Sequence, residues 1–215
     1  MKDTTLIFDY DGTIHNTMKI YEPAFRKTYQ WLVEQGVVED TCITNEQIAS
    51  WLGWNSRDMW NAFQPNLAQE YKEQASAQIG NLMIEQIEAH QAEWYPKARQ
   101  VLETLKSQYH MVVLSNCKIA YRQAHWKEFQ MEQWFDSFYD CESYHFIPKT
   151  EIVKDIMSVY PSKYIVIGDR KNDMECAKAC GGMFIGCLYG FSQQGELDAS
   201  DKCIRDITEL LEYLQ

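Results

Sequence analysis

The chain has 215 residues, of which 46% are apolar and 24% charged, a composition typical of a globular protein and not of a disordered one. Its formal net charge of −11 argues against binding the phosphate backbone of a nucleic acid, although a local cation can still attract a small phosphorylated ligand. No apolar run of about 18 residues is present, so we expect no membrane span.

The start of the chain and its cysteines indicate a compartment. Met1–Thr5 leads directly into an apolar strand-like run, so we expect no signal peptide. The seven cysteines are an odd number and lack Cys-x-x-Cys spacing, which is typical of reduced thiols. Together these features predict a cytoplasmic protein.

The first predicted element is a short strand, Leu6–Phe8, that ends at a turn-like segment. From Met18 to about His90 the apolar residues recur at helical spacing, and Thr44 with Gln47 has the spacing of a capping box. The sequence therefore predicts a helical insertion over residues 17–90.

Beyond the insertion, apolar runs typical of buried strands alternate with helical segments. Pro96 predicts the first position of a helix, and a closing amphipathic helix is expected over residues 207–214. Further helices are expected at about 118–129, 152–157 and 172–180, and strands at 111–114, 138–140, 164–167 and 183–187. This alternation predicts an α/β fold, a Rossmann-like parallel sheet with helices on both faces, formed by residues 1–16 and 91–215.

Polar residues follow the predicted strands at the sheet edge where such folds bind ligands. Each has an ordinary explanation as a turn residue, a helix cap or a surface lysine, but their coincidence at one edge favours a shared site. Two carboxylates that lie two residues apart after the first strand would also point the same way. The set comprises Asp9, Asp11, Ser115, Asn116, Lys149, Asp169 and Asp173.

These residue types suit one kind of chemistry. Several carboxylates near a phosphate are typical of a Mg²⁺ site, while a lysine, a serine hydroxyl and an asparagine amide can hold the phosphate oxygens. One carboxylate can attack phosphorus and form an aspartyl-phosphate. The second can protonate the leaving oxygen and later activate water.

The same residues resemble the motifs of the haloacid dehalogenase-like hydrolases over nearly the whole chain. The DxDGT motif is intact at Asp9–Thr13, and Ser115-Asn116 ends an apolar strand as the second motif requires. Lys149 matches the third motif, and Gly168–Asp173 matches GDxxxD. DxDGT alone is moderately specific, whereas the four motifs in this order are strongly specific.

The resemblance implies roles for the matching residues. Asp9 would be the nucleophile and a Mg²⁺ ligand, and Asp11 the general acid and base that also binds the metal through its backbone carbonyl. Ser115 and Lys149 would act catalytically on the transferring phosphate. Asp169 would bind Mg²⁺ and Asp173 would complete the metal site, while substrate contacts would come from Thr13 and Asn116.

The resemblance also implies that the insertion is a C1 cap, as in members similar to phosphoglycolate phosphatase and β-phosphoglucomutase. Trp54, Asn55 and Arg57 are then candidates for gripping the substrate, although cap packing or a surface position explains them equally well. Relatives often carry Asp-Ser where this chain has Asn16-Thr17. The predicted site also has His15 nearby, which we interpret as structural.

These observations predict a Mg²⁺-dependent phosphatase that acts on a small phosphorylated metabolite through Asp9. A phosphomutase or a non-catalytic metabolite-binding protein are the alternatives, whereas Asp11 argues against a dehalogenase. A phosphonatase would need a cap lysine, for which Lys19 and Lys27 stay open. The sequence does not choose among phosphoglycolate, sugar phosphates and nucleoside monophosphates, nor between a monomer and a dimer.

Overall fold

The structure is a computed structural model that describes residues 2–54, 56–160 and 163–214. The chain forms two compact units. One comprises Met1–Asn16 and Glu93–Gln215 and is called the α/β unit below; the other comprises Thr17–Ala92 and is called the helical unit. The role of the helical unit as a cap stays a prediction.

In the described residues of the α/β unit, six strands form one parallel sheet in the order β3-β2-β1-β4-β5-β6. The predicted Rossmann-like parallel sheet is therefore confirmed. Because the order reverses between β1 and β4, the ends of these two strands border the crevice in which such sheets bind ligands. The strands are β1 (Thr4–Phe8), β2 (His110–Ser115), β3 (Ser137–Asp140), β4 (Lys163–Gly168), β5 (Met183–Cys187) and β6 (Lys202–Ile204).

The helical unit contains α1 (Met18–Glu34), α2 (Asn45–Ser50), α3 (Ser56–Phe63) and α4 (Gln69–Glu88). The predicted capping box is present at α2, where the Thr44 hydroxyl accepts from the Gln47 amide at 3.2 Å and the Gln47 side chain accepts from the Thr44 amide at 2.9 Å. An aromatic cluster forms much of this unit's core, with the Phe25 ring 5.2 Å from Trp51 and 6.1 Å from Trp60, measured between ring centroids.

The helices of the α/β unit are α5 (Ala98–Leu105), α6 (Ile119–Phe129), α7 (Lys149–Val159), α8 (Lys171–Ala179) and α9 (Leu210–Tyr213). Two predictions were wrong in detail. Pro96 does not open α5, because Lys97 adopts a left-handed φ of 65° and the helix begins only after it. The closing segment is a 3₁₀ turn, Ile207–Glu209, followed by the short α9 and not a single amphipathic helix.

The sheet separates two apolar layers because alternate strand residues point to opposite faces. On one face Ile7, Val112 and Val166 join a buried cluster with residues of α7 and α8, including Ile152 and Met174. The neighbouring strand residues, such as Phe8, point to the other face, which is why β1 and β2 contain runs of consecutive buried apolar residues. In the described part of the chain, no helix combines the length and the apolar composition that crossing a membrane requires.

Candidate active site

The ends of β1 and β4 place two aspartates side by side. Asp9 follows β1 directly, and its backbone N–H donates to the carbonyl of Ile167 in β4 at 2.7 Å. Asp169 follows β4, and Asp173 lies in the first turn of α8. Parallel pairing of the two strands therefore brings carboxylates that are 160 and more residues apart in sequence to one edge of the sheet.

Lys149, the first residue of α7, connects these carboxylates. Its ammonium group lies 2.7 Å from Asp9 Oδ1 and 2.7 Å from Asp173 Oδ1. The three side chains are 4%, 9% and 1% exposed respectively, so the ion pairs are shielded from water. Although burial alone would lower it, the pKa of Lys149 is raised because Asp173 and Asp9 stabilise its charged form.

The acidic groups repel each other within this buried space. Burial and the charge of Asp173 raise the pKa of Asp9 to about 7, with Lys149 opposing the shift. Burial and the charges of Asp9 and Asp173 also raise the pKa of Asp169 well above its usual value. A site with more negative than positive charge favours a bound cation, because a cation would relieve this repulsion.

Asp169 is held by a loop with no room for another side chain. Its Oδ2 accepts from the backbone N–H of Phe191 at 2.6 Å. A Cβ on Gly190 would lie 2.5 Å from this oxygen, and a Cβ on Gly12, whose φ is +82°, only 2.2 Å from it. Glycine at both positions therefore lets two loops close around the carboxylate.

Asp11 lies in a tight turn and is held by a different set of partners. Its Oδ1 lies 2.9 Å from Nδ1 of His15 and accepts from the Tyr121 hydroxyl at 2.7 Å. Its side chain is 31% exposed, in contrast to the buried acids. Burial acts to raise the pKa of Asp11, but the hydrogen bonds and charge of its neighbours, His15 first, outweigh it, so the pKa lies below the usual value.

The predicted phosphate-contacting residues occupy different environments. Ser115 ends β2 and is buried, whereas Asn116 is exposed in the loop that follows. Thr13 is fully buried, and its backbone carbonyl accepts from the Tyr189 hydroxyl at 2.8 Å. A direct contact between the Thr13 side chain and the substrate therefore stays a prediction. Such a contact would require the side chain to become exposed.

The candidate substrate-gripping residues belong to the helical unit. Trp54 is 42% exposed, an unusual position for a large aromatic side chain, and Arg57 is exposed in the first turn of α3. Asn55 lies outside the described residues. Their predicted role in binding substrate stays a prediction.

The donor set fits a hard cation such as Mg²⁺. Oxygens of Asp9, Asp169 and Asp173 lie within 4.8 Å of one another, and all three residues are buried. Within the described residues, Asp169 Oδ1 has no hydrogen-bond partner although it is buried. Buried acceptors are normally satisfied, and a cation that prefers oxygen ligands would satisfy this one.

Sequence reasoning missed two residues of the site. Tyr121 and His125 lie four residues apart on α6, which places them on the same helical face. Both are buried against the DxDGT segment, but no strand end or charged motif marks them in the sequence. The signal that could have found them is the polar character of two positions on the buried face of a core helix. His15, interpreted as structural, directly contacts Asp11.

Comparisons with known proteins agree with the fold and the motifs. The sequence pattern of haloacid dehalogenase-like hydrolases matches residues 6–187 of this chain. None of the curated proteins searched matches the chain. By contrast, many solved structures share its fold.

Three of these structures indicate the range of the likeness. A haloacid dehalogenase-like hydrolase of Streptococcus pneumoniae is 22% identical with a TM-score of 0.79, and the match covers all of both chains. A predicted phosphoglycolate phosphatase of Haemophilus somnus is 19% identical with a TM-score of 0.83, covering 100% of this chain and 99% of that one. CbbY of Rhodobacter sphaeroides, solved in complex with phosphate, is 16% identical with a TM-score of 0.77 and the same coverage.

At such identities the structures establish the fold alone, whereas the sequence match spans most of the chain. The family pattern begins within β1 and ends with β5, and so includes every motif residue described above. The chain belongs to the haloacid dehalogenase-like hydrolase family.

Proposed function

We propose that this hydrolase is a Mg²⁺-dependent phosphatase that cleaves a small phosphomonoester through an aspartyl-phosphate on Asp9. One observation carries the proposal. The Lys149 ammonium bridges Asp9 and Asp173 in a buried acidic cluster at the point where the strand order reverses. A lysine beside a carboxylate nucleophile reduces the repulsion between that carboxylate and a phosphate dianion.

Asp9, Asp169 and Asp173, together with the Asp11 backbone carbonyl, would hold the Mg²⁺, whose bound charge would offset the charge of the phosphate. The rest of the chemistry belongs to the chain itself. The Lys149 ammonium group donates to Oδ1 of Asp9 at 2.7 Å and so holds the Asp9 carboxylate in one orientation. The same contact therefore also determines the orientation of the second oxygen, Oδ2. Ser115, which is buried at the end of β2, would hold a phosphate oxygen through its hydroxyl group.

The proposed reaction has two balanced steps. The first step begins with Asp11 protonated, a form that the negative charge of a bound phosphate dianion would favour. A carboxylate oxygen of Asp9 bonds to phosphorus while the phosphorus–ester oxygen bond breaks and Asp11 gives this proton to the leaving oxygen. In the second, Asp11 takes a proton from water as the water oxygen bonds to phosphorus. The bond between Asp9 and phosphorus then breaks, releasing inorganic phosphate and restoring both carboxyl groups.

The substrate is proposed from the relatives and the helical unit. CbbY is solved with phosphate and, in a variant, with xylulose-(1,5)bisphosphate, and another relative is a predicted phosphoglycolate phosphatase. By this analogy we propose a small phosphorylated metabolite, with Trp54, Asn55 and Arg57 gripping its other end. Exposure of Trp54 and Arg57 is compatible with that role.

The proposed compartment is the cytoplasm. All seven cysteines lie in the described part of the chain and are free thiols. Buried thiols such as Cys176 and Cys187 are typical of proteins that fold in a reducing environment. Reacting the native protein with a thiol reagent, with and without denaturant, would count the reduced thiols directly.

The experiment that tests the function is phosphate release from a panel of phosphomonoesters, with Mg²⁺ or with EDTA. The panel contains phosphoglycolate, sugar phosphates, nucleoside monophosphates and 4-nitrophenyl phosphate. Asp9→Asn removes the nucleophile with little change in volume. Asp3→Asn is the matched control, because Asp3 is exposed and lies before the opposite end of β1.

We expect Mg²⁺-dependent turnover of at least one ester by the wild type and by Asp3→Asn. Asp9→Asn should lose activity by about 10³-fold or more, as expected for removal of a covalent nucleophile. Silence of the folded wild type on every ester would contradict the phosphatase proposal. In that case, interconversion of sugar phosphates would identify a mutase, and binding without turnover would identify a binding protein.

A further inference from the structure

The turn that carries Asp11 folds a histidine back onto it. The backbone N–H of His15 donates to the backbone carbonyl of Tyr10 at 2.9 Å, and the backbone N–H of Gly12 donates to the backbone carbonyl of His15 at 3.0 Å. These bonds bring His15 Nδ1 to 2.9 Å from Asp11 Oδ1. A carboxylate can only accept, so in this contact Nδ1 carries the hydrogen.

A second donor reaches the same oxygen from α6. The Tyr121 hydroxyl donates to Asp11 Oδ1 at 2.7 Å and lies 3.2 Å from His15 Nδ1. The Tyr121 side chain is 9% exposed and the His15 side chain is fully buried. Two buried donors thus meet one oxygen of a carboxyl group that is itself partly exposed.

A further layer supports these donors. The Trp94 indole can only donate, so its 2.9 Å contact makes the Tyr10 oxygen an acceptor. The Tyr10 hydroxyl group then donates its hydrogen bond to Nδ1 of His125 at 2.8 Å. Burial holds the pKa of His125 well below its usual value, so the ring is neutral and accepts this bond.

The rings of this layer pack against both donors. The His125 ring centroid lies 4.3 Å from that of Tyr121 and 4.5 Å from that of His15. The Tyr10 ring stacks on His15 at 5.4 Å with an angle of 12° between planes. Movement of either donor would therefore require movement of a buried aromatic layer.

We infer that His15 and Tyr121 are positioning residues that fix the Asp11 carboxyl group for proton transfer to and from the reacting oxygens. The inference rests on the proposed function, because it concerns the step in which Asp11 protonates the leaving oxygen. Both contacts are to Oδ1, so they determine the plane of the carboxyl group and with it the location of Oδ2. Well-positioned general acids accelerate such steps by about 10²–10⁴-fold, and a misdirected acid loses part of this factor.

The test compares esters that differ in their need for a proton. The leaving group of an alkyl phosphate is a strongly basic alkoxide, so its departure depends on a general acid. The leaving group of 4-nitrophenyl phosphate is a stable phenolate, which departs without one. We expect Tyr121→Phe to lower kcat/KM for an alkyl phosphate by about tenfold while kcat/KM for 4-nitrophenyl phosphate changes less than about threefold. Because kcat/KM reports only the steps up to departure of the leaving group, it excludes hydrolysis of the aspartyl-phosphate, a step that both esters share.

Matched variants separate positioning from folding. Tyr109→Phe also removes a hydrogen-bonded hydroxyl, one that donates to the Leu214 carbonyl at 2.6 Å, and should leave both esters unaffected. His15→Leu should repeat the selective loss, whereas His15→Asn keeps an N–H donor and should restore most alkyl phosphate turnover. Equal losses on both esters, or no loss on either, would show that these residues do not position Asp11.

A crystal structure of Tyr121→Phe provides a readout that does not depend on activity. We expect the Asp11 carboxyl group to leave its wild-type orientation once the 2.7 Å contact is removed. An unchanged orientation of the Asp11 carboxyl group would overturn the inference, whatever the activity of the variant. If the wild type hydrolyses no ester, the proposed function fails, and the crystal structure still decides whether Tyr121 orients Asp11.

Discussion

A single lysine neutralises part of the charge of three buried acids. Lys149 contacts Asp9 and Asp173. In the sequence, the third family motif is represented at this position by the lysine alone. The lysine is the first residue of α7, and its side chain reaches both acids. Its location was predictable from the motif order, whereas its pairing with both Asp9 and Asp173 depends on how α7 and α8 pack.

We predict that Lys149→Met destabilises the metal-free protein at pH 8 by about 3–5 kcal/mol and abolishes turnover. The reason is that removal of one partner leaves buried carboxylates without compensation. Urea unfolding in EDTA measures the stability. The control is Lys154→Met on the same helix, whose side chain is 61% exposed and should change stability by less than about 0.5 kcal/mol. Equal stability of the two variants would contradict the prediction.

The pKa of Asp9 leads to a pH dependence for the metal-free protein. Burial and Asp173 raise this pKa from 3.8 to about 7, so between these values the folded state holds a proton that the unfolded state has released. Stability due to Asp9 is therefore complete at low pH and falls as the pH rises from about 4 to 7. One pKa unit corresponds to about 1.4 kcal/mol, which makes the total effect on the order of a few kcal/mol.

We predict that Asp9→Asn is more stable than the wild type at pH 8 in EDTA and that the difference disappears towards pH 4. The asparagine carries no charge at either pH, so it avoids the cost of a buried carboxylate. Thermal unfolding across this pH range measures the effect, with the exposed Asp3→Asn as the control. A wild type that is more stable than Asp9→Asn at pH 8 would show that Lys149 outweighs burial.

At the scale of elements, the loops after the strands are shaped around the acids. Glycines occupy the points where the backbone comes close to the side chains of Asp169 and Asp173, because a larger residue would collide with these side chains. The sequence places Gly168 and Gly190 next to strand ends, which predicts turns. It does not predict that Gly190 approaches Asp169, because that aspartate belongs to another loop.

We predict that Gly190→Ala weakens Mg²⁺ binding and destabilises the fold by about 1–3 kcal/mol, the usual cost of overpacking. The added Cβ would lie 2.4 Å from the Asp169 Cβ and 2.6 Å from the Gly12 carbonyl oxygen. Calorimetric Mg²⁺ titration and urea unfolding measure the two effects. Unchanged Mg²⁺ affinity would indicate that the loop can move away without displacing Asp169.

The matching control lies in the middle of α4. Nothing lies within 4 Å of a Cβ added to Gly80, and its helical backbone suits alanine. Gly80→Ala should therefore stabilise the protein by about 0.5–1 kcal/mol and leave Mg²⁺ affinity unchanged. A loss of stability in this variant would show that α4 is constrained in a way that the structure does not explain.

At the scale of the whole molecule, every candidate metal ligand belongs to the α/β unit. A ligand that binds only the folded state stabilises it by about 2.7 kcal/mol at a hundred times its dissociation constant. We predict that Mg²⁺ slows hydrogen exchange in β1, β4, α7 and α8, and leaves the amides of Thr17–Ala92 unchanged. Exchange followed by mass spectrometry, in Mg²⁺ and in EDTA, tests this.

Asp169→Asn is the control for that measurement, because it removes the carboxylate whose Oδ1 has no partner in the described residues. It should show the same exchange with Mg²⁺ and with EDTA. Protection that extends into the helical unit of the wild type would contradict the prediction. It would mean that ions bind outside the acidic cluster or that the two units respond together.

The amino-acid sequence by itself determined the α/β fold, the strand ends that carry Asp9 and Asp169, and the family. It could do so because apolar periodicity and motif order are local properties of the chain. It did not reveal β6, whose three residues follow a charged loop and lack an apolar run. Nor did it show that Pro96 precedes a left-handed residue, since such a backbone angle depends on surrounding contacts.

Tertiary structure alone decided which polar groups meet. Asp11 and Tyr121 are 110 residues apart, and so their hydrogen bond leaves no trace in local sequence. The same holds for Tyr10, Trp94 and His125, whose polar atoms pair with one another inside the fold. Buried polar groups require partners, but the identity of a partner follows from packing between distant segments and not from spacing along the chain.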